Sequence, residues 1–163
     1  MKFNVIKFLV KAKNSLKISY FKGMLELFPP NYFHIKEFLI EPNNAVPLDI
    51  MEKIVRYHII PLNPIRHELG LPIEISQNSG YRSKAWEIKH KRSGNSEHTF
   101  QDMGAVDLTC ANMNALFQLL KNESPYRRIC IYKEKNFIHC DYKGNEKKIF
   151  INTENGWANY DQA

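Results

Sequence analysis

Three polar residues set among apolar neighbours invite a chemical reading: His98 in SEHTF, Asp107 in GAVDL and His139 in NFIHCDY. A catalytic zinc takes three protein ligands from His and Asp or Glu and keeps a fourth position open for water. These residues lie far apart in the chain, so only the fold can bring them to one ion. Side chains alternate along a strand, so His139 and Asp141 share one face while Cys140 points away. Two ionisable groups on an otherwise apolar strand are costly to bury without a partner. A metal and the groups that orient its ligands would supply that partner. Asp107, between Val106 and Leu108, makes the same demand. Taken singly, each histidine is as readily a satisfied structural residue, the reading given to His34, His58, His67 and His90. Spacing alone leaves both readings open.

The elements that must position these groups follow from periodicity and punctuation. Residues 33–39 read as a short helical turn carrying Phe33, Phe38 and Leu39 inward. From Pro47, the three-and-four spacing of Ile50, Met51, Ile54, Val55 and Ile59 predicts a helix. Pro61 and Pro64 predict a kink, and Gly70 the stop of a second helix. A strand is expected over 71–76, a turn at SGYRS (79–83) and an irregular functional loop over 84–104. Residues 105–109 read as a short buried strand. Asn112 caps a helix whose apolar residues are Met113, Leu116, Phe117, Leu119 and Leu120. Strands over 128–132 and 137–142 flank a polar turn at 133–136, and a third strand is expected at 148–152. Helices first and strands later predict an α+β domain with a mostly antiparallel sheet packed by helices.

Composition bounds the class. At 163 residues the chain suits one domain with a real core, and 44% hydrophobic with 25% charged residues is ordinary for a globular protein. The net charge of +6 concentrates in the first 22 residues and around 84–92. No nucleic-acid motif accompanies it, so a solvated basic surface is expected and no nucleic-acid partner. Residues 1–30 read as a basic extension packed on a domain spanning 31–163. Lysines at 7, 11 and 13 break the apolar run too early for a transmembrane span, and no signal peptide is clear, which leaves the cellular location open. Three cysteines (Cys110, Cys130, Cys140) with no CxxC predict reduced, buried thiols without a chemical role.

SGYRS, then SxH followed by GAVDL, then a strand bearing HxD resembles the zinc D-Ala-D-Ala carboxypeptidase and L-Ala-D-Glu endopeptidase family. That family includes phage endolysins and shares its fold with the hedgehog signalling domain. The similarity runs from about 33 to 142. It implies a hedgehog/DD-peptidase-like fold, zinc as cofactor, a monomer, and bacterial peptidoglycan stem peptide as substrate. It also implies His98, Asp107 and His139 as zinc ligands and Arg82 as the group for a substrate carboxylate or an oxyanion. Ser96 is expected at the substrate, and Tyr81 and Trp86 along its groove or packed beside the turn.

Two departures bear on this. The family places its Asp seven residues after the first His, whereas here the gap is nine, so a bulge over 99–103 is expected, with Asp102 the poorer rival ligand. Many members also carry an acidic general base three residues before the last His, where this chain has Asn136. Asp141, on the face of His139, is the substitute expected to accept the proton, with Glu134 the fallback. A zinc-stabilised binding module or virion component without turnover is the competing expectation.

Overall fold

The structure, a computed structural model, describes residues 31–41 and 45–160. The basic extension read over 1–30 lies outside the described residues. Ile35–Phe38 forms a 3-10 turn that buries Phe38 beside Phe33. Helix α1 (Leu48–Ile54) does not stop before the prolines. It passes through a π-helical turn, Val55–Ile59, into α2 (Ile60–Leu69), which carries Pro64 inside it and ends at Gly70. A wider turn is one way for a helix to absorb missing donors. Pro61 offers no N–H to the Tyr57 carbonyl, and the Tyr142 hydroxyl donates to that carbonyl instead at 2.7 Å. The prolines thus tie the helical layer to the end of a distant strand rather than breaking it.

Six strands form one sheet: β1 (Ile73–Ile75), β2 (Ala105–Cys110), β3 (Arg128–Tyr132), β4 (Phe137–Asp141), β5 (Lys148–Thr153) and β6 (Gly156–Asn159). Their order is β1-β2-β4-β3-β5-β6, and only the β3–β5 pair is parallel. The expected third strand exists, and β6 follows it. Between β1 and β2 the stretch expected to be irregular contains helix α3 (Lys84–Lys89), whose first turn is capped by the Ser83 hydroxyl accepting from the Trp86 N–H. Helix α4 (Met113–Glu123) starts where Asn112 Oδ1 accepts from the Ala115 N–H, and it buries Leu116, Phe117 and Leu120.

Register divides the sheet into two faces. Val106, Leu108, Ile129, Ile138 and Cys140 point into a core shared with Ile54, Leu62, Leu116 and Leu120. Burying each large aliphatic side chain contributes about 1.5–3 kcal/mol, which pins the strands so that the opposite face can carry polar groups. On that opposite face Asp107 pairs across with His139, His139 with Cys130, and Asp141 with Arg128. Among the described residues no helix is long and apolar enough to cross a membrane.

Candidate metal centre

The sheet delivers two of the three expected ligands directly, because Asp107 and His139 are opposed in the β2–β4 register. The third arrives from a loop. Ser96 caps the 3-10 turn Glu97–Thr99, its hydroxyl accepting from the His98 N–H, and His98 is buried there. His98 Nδ1 lies 3.0 Å from the Gly80 carbonyl, which makes Nδ1 the donor and turns the Nε2 lone pair toward Asp107 Oδ1 at 3.4 Å. Gly80 itself is obligatory. Its φ is +86°, and a Cβ would meet the Phe38 carbonyl oxygen at 2.4 Å.

The donor atoms of His98, Asp107 and His139 all lie within 4.8 Å of one another. His139 is held between two carboxylates, with Nδ1 2.7 Å from Asp107 Oδ1 and Nε2 2.7 Å from Asp141 Oδ2. Burial pushes its pKa down, but the bonds to Asp107 and Asp141 outweigh that and hold it up at about 9. Burial likewise pushes Asp107 up, yet the hydrogen bond from His139 and the nearby His98 ring hold its carboxyl well below the usual range. For His98 burial prevails over Asp107, and its pKa is lowered. One anionic carboxylate thus faces a neutral imidazole and a cationic one. A divalent ion replacing the proton on His139 Nδ1 would find three donors, with both outer ring nitrogens already oriented by hydrogen bonds. The residues fit a zinc-type site.

The stretch expected to bulge between His98 and Asp107 bends at both ends. Phe100 takes a left-handed backbone (φ +56°) and Gly104 another (φ +89°), where a Cβ would strike the Phe100 ring at 2.3 Å. The bulge is clamped from the helical layer: Lys53 Nζ donates to the Phe100 and Gln101 carbonyls, and His58 Nε2 lies 3.1 Å from the Met103 carbonyl. His58 is fully buried among Phe38, Phe100, Tyr126 and Tyr142, and burial pushes its pKa down to about 3. It therefore serves as a neutral strut. Asp102 is exposed on the bulge and stands outside the cluster.

The cluster opens on a cleft of about 760 Å³. Arg82 lines it, although the arginine is nearly buried: its guanidinium meets Glu87 Oε1 at 2.8 Å without hydrogen-bond alignment, and donates to the Asn78 carbonyl and the Ser96 hydroxyl. Two of its five N–H groups are spent on the loops that carry the site. Of the three residues expected near the substrate, one lines the cleft and two take the packing alternative. Ser96 lines the cleft, but its hydroxyl is engaged by Arg82 and the turn it caps, so it positions His98. Tyr81 does not line the cleft; its ring packs edge-on against Phe100, and its N–H donates to the Phe38 carbonyl. Trp86 stacks on His90 at 3.8 Å and backs Arg82 and Arg92 from outside the cleft wall.

Asp141 is the larger correction. It is fully buried and absent from the cleft wall. Its carboxylate accepts from His139 Nε2, from Arg128 Nε and Nη2, and from the Lys143 N–H. Burial pushes its pKa up, but the bonds from His139 and Arg128 outweigh this and lower it. A carboxylate so saturated has no lone pair aimed at a substrate water. Glu134 is exposed in the turn and Asn136 beside it uses its carbonyl to accept from Thr109, so neither reaches the cleft. Apart from Asp107, Glu97 is the carboxylate on the cleft wall, 3.1 Å from Lys143 Nζ. Sequence reasoning missed Glu97, Arg128 and Lys143.

Two histidines and an aspartate opening on a cleft, with an arginine at its wall, are the donor set of a metal-dependent hydrolase. Residues 31–141 match the model of the peptidase M15 family, the zinc D-Ala-D-Ala carboxypeptidase family, and the chain belongs to it. No curated protein and no solved structure matches the chain.

Proposed function

We propose that this protein is a zinc-dependent peptidase of hedgehog/DD-peptidase-like fold that cuts the stem peptides of bacterial peptidoglycan, acting as a monomer. The observation that carries the reading is the convergence of His98 Nε2, Asp107 Oδ1 and His139 Nδ1 at the floor of an open cleft. Zinc, when bound there, supplies Lewis-acid activation of water and of a peptide carbonyl. Asp141 fixes the ring of His139 and keeps Nε2 protonated, so that Nδ1 is the donor offered to the metal. Glu97, the remaining carboxylate on the wall, takes the proton from the attacking water and returns it to the leaving amine. Arg82, held rigidly by Ser96, Asn78 and Glu87, directs its remaining Nη N–H groups at a carboxylate or oxyanion of the substrate. Arg92, Arg128, Lys135 and Lys143 also line the cleft and favour the free carboxylates of wall peptides over neutral chains.

The test is incubation of zinc-loaded protein with purified peptidoglycan and mass analysis of released fragments. Defined peptide products, absent with His139→Ala, are expected. A Glu97→Gln protein should keep its zinc while turnover falls about 10²–10⁴-fold, the usual loss when a positioned base is removed. Full zinc binding with no product from any wall peptide would sink the enzyme reading and leave a zinc-stabilised binding module.

A further inference from the structure

The sheet continues beyond the metal cluster through β5 and β6, which lie past residue 141, where the family match ends. On the face that carries the cluster, register sets Phe137, Tyr132, Asn152 and Trp157 in one row across four strands. Tyr132 stacks on Phe137 with ring centroids 4.4 Å apart, and Trp157 meets Tyr132 edge-on at 4.8 Å. Phe137, Tyr132, Trp157 and the neighbouring Phe150 line the same cleft as His98, Asp107 and His139. Trp157 is nevertheless 49% exposed. A lone exposed ring would need no explanation, but this one completes a continuous aromatic wall inside a cleft with a metal site at its floor.

The wall is not purely apolar. Lys135 lines it too, with Nζ over the Tyr132 ring at 5.7 Å. Aromatic faces beside an ammonium suit a ligand with apolar faces and polar edges, which describes a pyranose better than an aliphatic side chain. Trp157 sits three strands from β4, and its ring leans back over the sheet onto Tyr132, on the same cleft as His139.

We infer that the Phe137–Tyr132–Trp157 wall is a sugar-binding subsite that receives the N-acetylhexosamine ring to which the peptide substrate is attached. The inference rests on the wall-peptidase reading for its substrate but on the β5–β6 hairpin for its site. The substrate is then held at both ends, the sugar ring on Trp157 and the bond to be cut at the metal cluster.

Calorimetry of the zinc-loaded protein with an N-acetylglucosamine tetrasaccharide tests this without any need for turnover. Wild type should bind it. Trp157→Ala should bind about tenfold or more weakly, the scale of a lost aromatic contact, and Trp157→Phe should recover part of the affinity. In parallel, Trp157→Ala should raise KM for a disaccharide-linked pentapeptide about tenfold more than it raises KM for the bare pentapeptide. No saccharide binding by wild type, or equal binding by Trp157→Ala, overturns the subsite. Saccharide binding that depends on Trp157, with neither peptide cut, keeps the subsite and defeats the peptidase reading.

Discussion

Replacing Asp141 by Asn separates an orienting role from a chemical one. The side chain keeps its shape, but an anion that accepts from His139, from two nitrogens of Arg128 and from the Lys143 N–H becomes a neutral amide. Charge-assisted hydrogen bonds contribute about 1.5–3 kcal/mol each, against about 0.5–1.5 for neutral ones. Arg128 retains some contact with water, its side chain being 27% exposed, so folding stability should fall by about 2–3 kcal/mol rather than by the full cost of stranding a buried charge. His139 loses the partner that fixes its tautomer, and zinc affinity should drop about 10–100-fold, or about 1.4–2.8 kcal/mol. At saturating zinc the turnover number should stay within about tenfold of wild type, because a group that only orients a ligand is not required to move a proton. Competition with a chromophoric chelator measures the affinity, and initial rates at excess zinc measure the turnover. Unchanged affinity combined with a turnover loss of about 10²-fold or more would refute the orienting role and restore Asp141 as the proton acceptor.

Other perturbations follow from the same geometry. Asp107→Ala and His139→Ala should each abolish tight zinc binding by elemental analysis, whereas His90→Ala should not. With His139 held at about 9 in the metal-free cluster, uptake must displace a proton, so zinc affinity should rise by up to about tenfold per pH unit below that value; calorimetry showing a flat pH profile would contradict it. His58 is held at about 3 against 6.5 unfolded, so between those values the unfolded chain binds more protons. Stability should therefore be lost as pH falls below 6.5, by up to about 1.4 kcal/mol per unit, and thermal melts of His58→Gln should show a shallower slope. Replacing Cys110, Cys130 and Cys140 by Ala should leave zinc content and turnover within a few-fold, at about 1–3 kcal/mol of stability per buried site; burial pushes even the cleft-lining Cys130 up to about 11, out of reach of thiolate chemistry at neutral pH.

The sheet and the gathering of His98, Asp107 and His139 were legible because period-2 alternation and three short fragments report directly on strands and on their polar face. The helical break was misread: the prolines at 61 and 64 announced missing donors, but nothing local showed that Tyr142 would satisfy one carbonyl from 85 residues away. Helix α3 was missed although its signal was present, Ser83 preceding the helix-forming run KAWEIK. Strand β6 had weaker signals, being four residues with an exposed tryptophan, and it matters only as part of a cleft that no local pattern describes.

The reversal at Asp141 shows where same-face reasoning stops. Alternation correctly placed His139 and Asp141 together, but a shared face does not say what stands opposite. That answer was within reach of the hairpin: the four-residue turn at 133–136 opposes Tyr132 to Phe137, and counting outward brings Cys130 to His139 and Arg128 to Asp141. An arginine directly across from a buried carboxylate neutralises it and fills its lone pairs, which is the opposite of what a proton acceptor needs. The bulge between the ligands carries the complementary lesson. Its two extra residues look like a defect in spacing, yet Lys53 and His58 hold three of its carbonyls from the helical layer, so His98 is fixed by the core rather than by the length of its loop. A ligand set depends on where a fold anchors its ends, and here the anchors lie in the helices that the sequence placed first.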